Sequence, residues 1–485
     1  MNLDDQPLVF GINASTGKPL EMIPLQDCPP ILLQQEDIFC RHLGTALTHG
    51  RPRAGVVFDV NPDDLRDAGW GIIFPAKVDP KPWLEALDPL LALRQSQACE
   101  RFRIFSGEQG YKYGETANQW LNRHGAALML IDPACGVPFY LTLVGPPTEI
   151  PFCFQYSLDI VAGVGRLDFP ALDDYRCYAT SVVAFERDNT RTTRREIELF
   201  ATCHDFDRAT QLFTHKVAVP FAYGDDKHPP LGSKYGFHMC TALNGQATKA
   251  KFRQVLCHPV QAPSLLITGT HGIAFDYDDP RQTKLQGAIV CDDWPGYGVI
   301  NDQHWFSSED VPDNANLHGA LLLLFACYSA GTPQYDDFQF SEKNRQIASI
   351  PVTSRLPQKL MTIPNGGVLA VLGHVDRAWA SSFQTRRGTA QPQGLGDVVS
   401  RVLFGQRVGL ATDEFNSQWG VWSAELVDLL RRANDGEAIK DADLLALRTM
   451  RDDCRNYVVL GDPAVRLRAQ SQPENEEAAG LRRNL

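Results

Sequence analysis

Two apolar stretches carry the strongest pattern in this sequence: Leu265-Leu-Ile-Thr-Gly-Thr-His271-Gly272 and Leu321-Leu-Leu-Leu-Phe-Ala-Cys327-Tyr-Ser-Ala-Gly331. In each, a short apolar run leads to a reactive side chain, with glycine just beyond it. Runs that are apolar on both faces are typical of strands in a parallel sheet covered by helices. Reactive groups collect at the carboxyl ends of such strands. The two stretches therefore predict neighbouring parallel strands that bring a histidine and a cysteine to one sheet edge.

From about residue 96, strand patterns alternate with helical patterns. This alternation indicates crossover connections and predicts an α/β fold with a mainly parallel sheet. We expect four regions: an irregular, Pro-rich region over residues 1–95, a non-catalytic α/β subdomain over 96–255, a catalytic domain over 256–468 and a disordered polar tail over 469–485.

The chain has 485 residues and a formal net charge of −12. Because phosphate contacts need a basic surface, this acidic balance argues against nucleic acid as a partner. The longest strongly apolar run, residues 321–327, is far shorter than the roughly 20 residues of a membrane span, so we predict no membrane partner. The first residues lack the pattern of a secretory signal, and the twelve cysteines include no Cys-x-x-Cys pair. We therefore expect a cytoplasmic protein with reduced thiols.

Cys327 and His271, which lie 56 residues apart, are the candidate catalytic pair. A thiolate is the attacking form of cysteine, and a nearby imidazole can take the thiol proton and later give it to a leaving amine. The glycines beyond the strand ends allow sharp turns, and the backbone N–H groups of Gly272 and Cys327 are the candidate donors to an oxyanion. Taken alone, either residue would be read as structural: a buried thiol, or a histidine at a strand end.

Further candidates follow the same logic of strand ends and adjacent loops. Asp292 and Asp293 could line a pocket for a basic side chain or bind calcium, or they could be solvated loop charges. His374, Asp376 and Trp379 follow another buried strand and are candidates for a substrate-binding wall, with a structural role as the alternative.

Other groupings of reactive residues do not predict a site. Cys203 and His204 are adjacent, and adjacent strand residues point to opposite faces, so they do not form a dyad. The spacing of Cys257, His258, Cys291 and His304 matches no structural zinc pattern. With no phosphate-binding or dinucleotide-binding glycine motif either, we predict no metal and no cofactor.

The sequence resembles the caspase-like (clan CD) cysteine peptidases, and within them the gingipain-type group and the bacterial CHAT-like proteases. The strand ends His271-Gly272 and Ala326-Cys327 carry the resemblance. Three further stretches support it: Leu460-Gly-Asp-Pro-Ala-Val-Arg-Leu467 is similar to the closing strand and turn of the gingipain-type group, Asn365-Gly-Gly-Val-Leu-Ala-Val-Leu-Gly-His374 to the strand after its catalytic cysteine, and the segment from Asp159 to Gly165-Arg166 to part of its upstream subdomain. The resemblance covers about residues 130–468.

This resemblance implies a caspase-like (caspase–hemoglobinase) three-layer α/β/α sandwich with a six-stranded, parallel-rich sheet, preceded by a similar non-catalytic subdomain. It implies endopeptidase action on a protein or peptide through an acyl-thioester, with Cys327 as nucleophile, His271 as base and no third residue nominated. Metacaspases have aspartate two residues before the nucleophile, where it binds a basic P1 side chain (the residue before the cleaved bond). Phe325 stands there in this chain, so an apolar or small P1 residue is the alternative.

Soluble bacterial members of this clan imply a regulated protease, controlled by a partner or activator, with a role in defence or signalling. Two alternatives stay open at this point. One is a catalytically silent interaction protein with the same fold, and the other is a thiol-dependent peptide ligase.

Overall fold

Ten strands form the central sheet of the computed structural model, which describes residues 8–20, 55–128, 130–257, 260–338, 345–384 and 392–469. In chain order they are β1 (Trp70–Ile73), β2 (Phe102–Phe105), β3 (Tyr140–Val144), β4 (Gly163–Leu167), β5 (Arg194–Ala201), β6 (His238–Ala242), β7 (Pro263–Gly269), β8 (Leu321–Phe325), β9 (Ala370–His374) and β10 (Tyr457–Gly461). Their order across the sheet is β2-β1-β3-β4-β10-β9-β8-β7-β5-β6.

Every neighbouring pair in this sheet is parallel except β9 with β10. The sheet thus contains two blocks of five parallel strands, β2-β1-β3-β4-β10 and β9-β8-β7-β5-β6, which run in opposite directions. The carboxyl ends of the two blocks therefore lie at opposite edges of the sheet. The prediction of an α/β fold with a mainly parallel sheet is confirmed.

Helices cover the sheet. They are α1 (Leu65–Ala68), α2 (Lys81–Ala98), α3 (Ala117–Arg123), α4 (Phe152–Asp159), α5 (Leu172–Arg187), α6 (Arg208–Phe213), α7 (Val219–Tyr223), α8 (Lys249–Val255), α9 (Gln282–Leu285), α10 (Arg355–Met361), α11 (Gln393–Phe404), α12 (Val408–Ala411), α13 (Asp413–Asn434) and α14 (Asp441–Arg455). Every residue of β3, β4, β7, β8, β9 and β10 is buried. Burial of alternate residues on both faces requires cover on both sides, which makes three layers.

A second, four-stranded sheet lies beside the carboxyl ends of the second block. It joins Gly11–Asn13, Gly272–Ala274, Ile289–Val290 and Trp305–Phe306. Two short strand pairs complete the β-structure: Gly331–Thr332 with Val352–Thr353, and Gly55–Val56 with Leu130–Ile131. The N-terminal strand Gly11–Asn13 pairs in parallel with Gly272–Ala274, directly beyond His271.

The two blocks meet at a different place in the chain from the predicted boundary near residue 255. β5 pairs in parallel with β7, and β6 pairs with β5, so the second block begins at Arg194 and not after residue 255. Within the Pro-rich stretch 1–95, the sequence predicts a short helix around residues 82–95, and the structure has α2 there. β1 lies in the same stretch and was not predicted. Residues 1–7, 21–54 and the predicted tail from 470 onward lie outside the described residues.

A buried ion-pair network joins the end of β10 to β1, α2 and α5. The carboxylate of Asp462 accepts hydrogen bonds from Trp70 Nε1 at 2.9 Å and from Arg94 Nε at 2.6 Å. The Arg94 guanidinium also donates to both carboxylate oxygens of Glu186, and the Asp462 N–H donates to the hydroxyl of Tyr178. Arg94 and Asp462 are fully buried. The Gly-Asp-Pro motif of the sequence therefore holds the closing strand against β1, α2 and α5.

Within the described residues, no helix is both long enough and apolar enough to cross a membrane.

Asp462→Ala should destabilise the fold strongly. The substitution removes the buried partner of Arg94, and breaking a buried ion pair from one side costs about 3–5 kcal/mol. Urea unfolding followed by circular dichroism measures the loss. Asp428→Ala is the matched control, because the Asp428–Arg431 pair is about 70% exposed at both side chains and such pairs contribute about 0–1 kcal/mol. Equal losses in the two variants would contradict a structural role for the network.

Candidate functional site

The ends of β7 and β8 place His271 and Cys327 side by side. Gly269 pairs with Phe325 in the parallel register, and the Thr270 N–H donates to the Phe325 carbonyl at 3.1 Å. His271 and Cys327 each follow that pair by two residues. A side chain at Gly272 would meet the Cys327 carbonyl oxygen at 1.9 Å, so only glycine allows this approach of the two strand ends. The structure thus brings together the two residues that the sequence singled out.

His271 has a carboxylate partner that the sequence did not reveal. Its Nε2 atom lies 2.6 Å from Asp207 Oδ2, and both side chains are almost fully buried. Asp207 caps the N-terminus of α6 and also accepts a 2.6 Å hydrogen bond from the Thr210 hydroxyl. Burial works against ionisation of Asp207, but the charge of His271 and these hydrogen bonds hold the pKa of the carboxyl well below its usual range. Asp207 is therefore an anion that fixes the orientation of the imidazole.

The other ring nitrogen of His271, Nδ1, is buried and has no hydrogen-bond partner within the described part of the chain. Since Nε2 is engaged by Asp207, Nδ1 is the nitrogen left to exchange a proton with a reacting group. A buried imidazole nitrogen without a partner is uncommon, because burying a polar atom unsatisfied costs free energy. Such exceptions concentrate at functional sites.

The Cys327 thiol is fully buried. The Ala378 N–H donates to its Sγ at 3.3 Å. Burial raises the pKa of the thiol well above its usual value, and the N–H group of Ala378 only partly offsets this. With the protein in this conformation, the sulfur is a protonated thiol shielded from water.

The two predicted oxyanion donors converge on one oxygen. The N–H groups of Cys327 and Gly272 donate to the carbonyl oxygen of Phe10, at 2.9 and 3.0 Å. These distances match those that an oxyanion hole needs. The Phe10 side chain is fully buried beside the same two strand ends.

The predicted substrate-wall residues are buried within the fold. The His374 ring packs on Tyr457 at 3.9 Å between centroids, and its Nε2 lies 3.3 Å from a carboxylate oxygen of Asp453. The Trp379 N–H donates to the same carboxylate at 3.1 Å, and the indole is buried. Between them, Asp376 accepts a hydrogen bond from a backbone N–H and adopts a positive φ of 65°. These contacts brace the stretch that contains Ala378.

Asp292 and Asp293 accept hydrogen bonds from backbone N–H groups. Asp292 bonds to the N–H groups of Cys203 and Ala247, at 3.1 and 2.9 Å, and Asp293 bonds to that of Lys249 at 2.6 Å. The carboxylates thus join their loop to the segments around residues 203 and 247–249. This is a structural use of the two charges.

His204 lies near His271 but does not pair with Cys203. Its Nδ1 atom is 3.9 Å from an Asp292 oxygen, and burial together with the neighbouring charge of His271 lowers its pKa to about 4. His204 is therefore neutral at physiological pH.

One group of residues in the described structure has the composition of a metal site. Donor atoms of Glu196, His238 and Cys240 lie within 4.8 Å of one another on β5 and β6. The group stands at the outer edge of the sheet, on strands where Glu196 pairs with His238. It shares no residue with the site around Cys327.

No protein-family model matches the chain, and no curated protein is similar to it. The solved structures to which the chain is similar include two proteins. One is described as a protease, with a TM-score of 0.46 and 14% identity over 84% of this chain and 82% of that one. The other is the separase–securin complex of Saccharomyces cerevisiae, with a TM-score of 0.32 and 11% identity over 73% of this chain and 17% of that one. Function is therefore inferred from the residues of the site itself.

Asp376→Asn should weaken the fall in stability between about pH 4 and pH 8. Burial, together with the negative charge of Asp336, raises the pKa of Asp376 to about 8 in the folded protein, against about 3.9 in the unfolded chain. Its contribution to stability is complete below pH ~4 and is lost as the pH rises through ~8, at up to about 1.4 kcal/mol per pH unit. Asparagine is neutral and tolerates a positive φ.

Urea unfolding at pH 5, 7 and 9 checks this expectation. The free energy of unfolding should fall less steeply with pH in Asp376→Asn than in the unmodified chain. Asp278→Asn, at an exposed position, serves as the control and should keep the original slope. Parallel slopes for all three proteins would show that Asp376 is ionised in the folded state.

Proposed function

We propose that the chain is a cysteine peptidase that cleaves peptide bonds through a Cys327–His271–Asp207 triad. The observation that carries the proposal is the buried Asp207–His271 hydrogen bond of 2.6 Å, which leaves Nδ1 of His271 free at the strand end beside Cys327. His374 also has ring nitrogens without a hydrogen bond, so it is the pairing of His271 with Asp207 at this strand end that sets His271 apart.

The geometry supports a defined role for each residue. His271 takes the proton of the Cys327 thiol, and the thiolate attacks the substrate carbonyl carbon. Asp207 holds the ring in place and stabilises the imidazolium that forms. As the carbon–nitrogen bond breaks, His271 gives its proton to the leaving amine.

The developing negative charge is held by backbone groups. The N–H groups of Gly272 and Cys327 already converge on one carbonyl oxygen, so they need no rearrangement to bind an oxyanion. The acyl-thioester left on Cys327 is then hydrolysed by water, which His271 activates by taking a proton.

The sheet supports the caspase-like resemblance. With β10 included, the second block contains six strands, five of them parallel, and the catalytic pair follows two neighbouring strands. This is the parallel-rich, six-stranded arrangement that the resemblance implies.

A labelling experiment tests the triad. Because the Cys327 thiol is buried with residues 10 and 11 lying against it, all variants are made in full-length chains that carry Phe10→Asp, which places a charge where the buried ring lies. Cys327 is alkylated with chloroacetamide, and its labelling rate is measured by mass spectrometry against the exposed thiols of Cys99 and Cys135 in the same molecules. Rapid labelling should require both His271 and Asp207.

Asp207→Asn should slow the labelling of Cys327 by about 10²-fold or more, the usual scale of general-base assistance, and His271→Ala should do the same. Asp205→Asn is the matched control, since Asp205 is exposed two residues away and should leave the rate unchanged. If Cys327 becomes accessible in Phe10→Asp but reacts no faster than Cys99 and ignores all these substitutions, the chain is not a thiol enzyme. Amide products in place of carboxylates from a test peptide would instead identify a ligase.

A further inference from the structure

The segment of residues 8–20 crosses the candidate active site in an extended form. The Phe10 N–H donates to the Ala378 carbonyl, and the Ala380 N–H donates to the Leu8 carbonyl, both at 2.9 Å. Val9 and Trp379 form an antiparallel bridge between these bonds. Residues 8–10 are thus an added strand on residues 378–380. Adding an extended peptide to an exposed strand is a general mode of peptide recognition.

Phe10 marks where a bond would be cleaved. Its carbonyl oxygen fills the position between the N–H groups of Gly272 and Cys327 that the proposed mechanism assigns to the oxyanion. The next residue, Gly11, lies against the sulfur: a side chain there would come within 2.9 Å of Cys327 Sγ. The peptide bond presented to the thiol is therefore Phe10–Gly11.

The Phe10 ring fills an aromatic pocket. It packs against the ring of Phe325 at 4.8 Å, against Phe383 at 5.9 Å and against Phe213 at 6.1 Å between centroids, in edge-to-face arrangements. The His271 ring lies 5.9 Å away. Edge-to-face packing is the favoured geometry for aromatic pairs. These three phenylalanines give the pocket an apolar, aromatic lining, in which an acidic or basic side chain would be desolvated.

We infer that residues 8–20 occupy the peptide-binding cleft as a substrate-like plug, and that the pocket of Phe213, Phe325 and Phe383 selects substrates with an aromatic residue before the cleaved bond. This inference rests on the proposed function and names its substrate class. It also explains why the thiol is buried in an otherwise complete site, because the plug itself is the cover.

The plug leaves the cleft open on its other side. Thr16, Lys18 and Leu20 line a cavity whose opposite wall includes Gln286, Tyr328 and Arg377. The turn of the plug is held at the surface by hydrogen bonds from Asn13 and Ser15 to the exposed carboxylate of Asp276.

Val9, Phe10, Ile12 and Ala14 are buried, and Gly11–Asn13 pairs with Gly272–Ala274, so the plug is solvated along its turn and held along its strand. Phe10 and Gly11 are the residues that lie against His271 and Cys327, so substitutions at these two positions should displace the plug from the thiol.

The first test measures access to Cys327. Chloroacetamide labels the full-length chain and its Phe10→Asp and Gly11→Leu variants, and mass spectrometry follows Cys327. Both substitutions should raise the labelling rate of Cys327 at least tenfold, the first by burying a charge and the second by collision with the sulfur. Phe58→Asp is the matched control, since Phe58 is 94% exposed, and it should change nothing.

The buried thiols Cys291 and Cys454 report whether each variant is folded. They should stay protected when only the plug is released. A rate for Cys327 that stays unchanged in a folded variant overturns the inference. If Phe10→Asp unfolds the chain, the comparison rests on Gly11→Leu, which leaves the pocket intact.

The second test measures the pocket. Acyloxymethyl-ketone dipeptides that differ only in their P1 residue (phenylalanine, lysine or aspartate) are reacted with Gly11→Leu. The phenylalanine probe should label Cys327 at least tenfold faster than the other two, and Phe383→Lys should reduce that preference. Faster labelling by the lysine or aspartate probe overturns the inference while leaving the peptidase intact. A folded variant in which Cys327 is accessible but indifferent to His271 overturns the proposed function instead.

Discussion

The antiparallel pairing of β9 with β10 is the constraint on which the structure depends. β10 is parallel to β4 on its other side, so this one strand joins two blocks that run in opposite directions. Their carboxyl ends consequently face opposite edges, and only the second block presents its ends at the edge where His271 and Cys327 lie. The buried ion pair between Arg94 and Asp462 joins the end of β10 to α2. The first block therefore contributes no strand end to the site, whereas Asp207 follows β5 of the second block.

Burial strengthens the Asp207–His271 hydrogen bond and also keeps the Cys327 thiol protonated. In a low-dielectric environment the Asp207–His271 hydrogen bond is stronger than it would be in water, and the imidazole has little freedom to turn. The same dry environment raises the pKa of the Cys327 thiol, which disfavours the attacking thiolate. Both effects come from burial at the same strand ends, where the backbone of Phe10 and Gly11 lies against Cys327 and where His271 is fully buried. Release of the segment would hydrate the sulfur and leave the Asp207–His271 pair in place, since that pair is held by α6.

Local patterns predicted the strands and the positions of His271, Gly272 and Cys327, because an apolar run followed by a reactive residue and a nearby glycine is contained in a few residues. Asp207 escaped prediction because it lies 64 residues before His271, after a strand whose neighbour in a parallel sheet is not encoded in its own sequence. Asp292 and Asp293 show the reverse case. Acidic residues in a loop suggest a ligand, yet these accept backbone N–H groups of the protein itself. The sequence around Phe10 does not distinguish it from other apolar residues. Its position follows from hydrogen bonds to Gly272, Cys327 and Ala378, which lie far along the chain.

Phe325 lies in the pocket that is proposed to select the substrate side chain and that is filled by Phe10 of the same chain. It stands two residues before Cys327, and its ring packs on Phe10. An aromatic pocket has little preference among apolar rings, so an internal segment with phenylalanine can fill it as well as a substrate can. Because that segment belongs to the same chain, its effective concentration is on the order of millimolar, and a free peptide with the same side chain competes poorly with it. Substrate selection and restraint of the proposed enzyme thus follow from the same three phenylalanines, and a change to this pocket alters both.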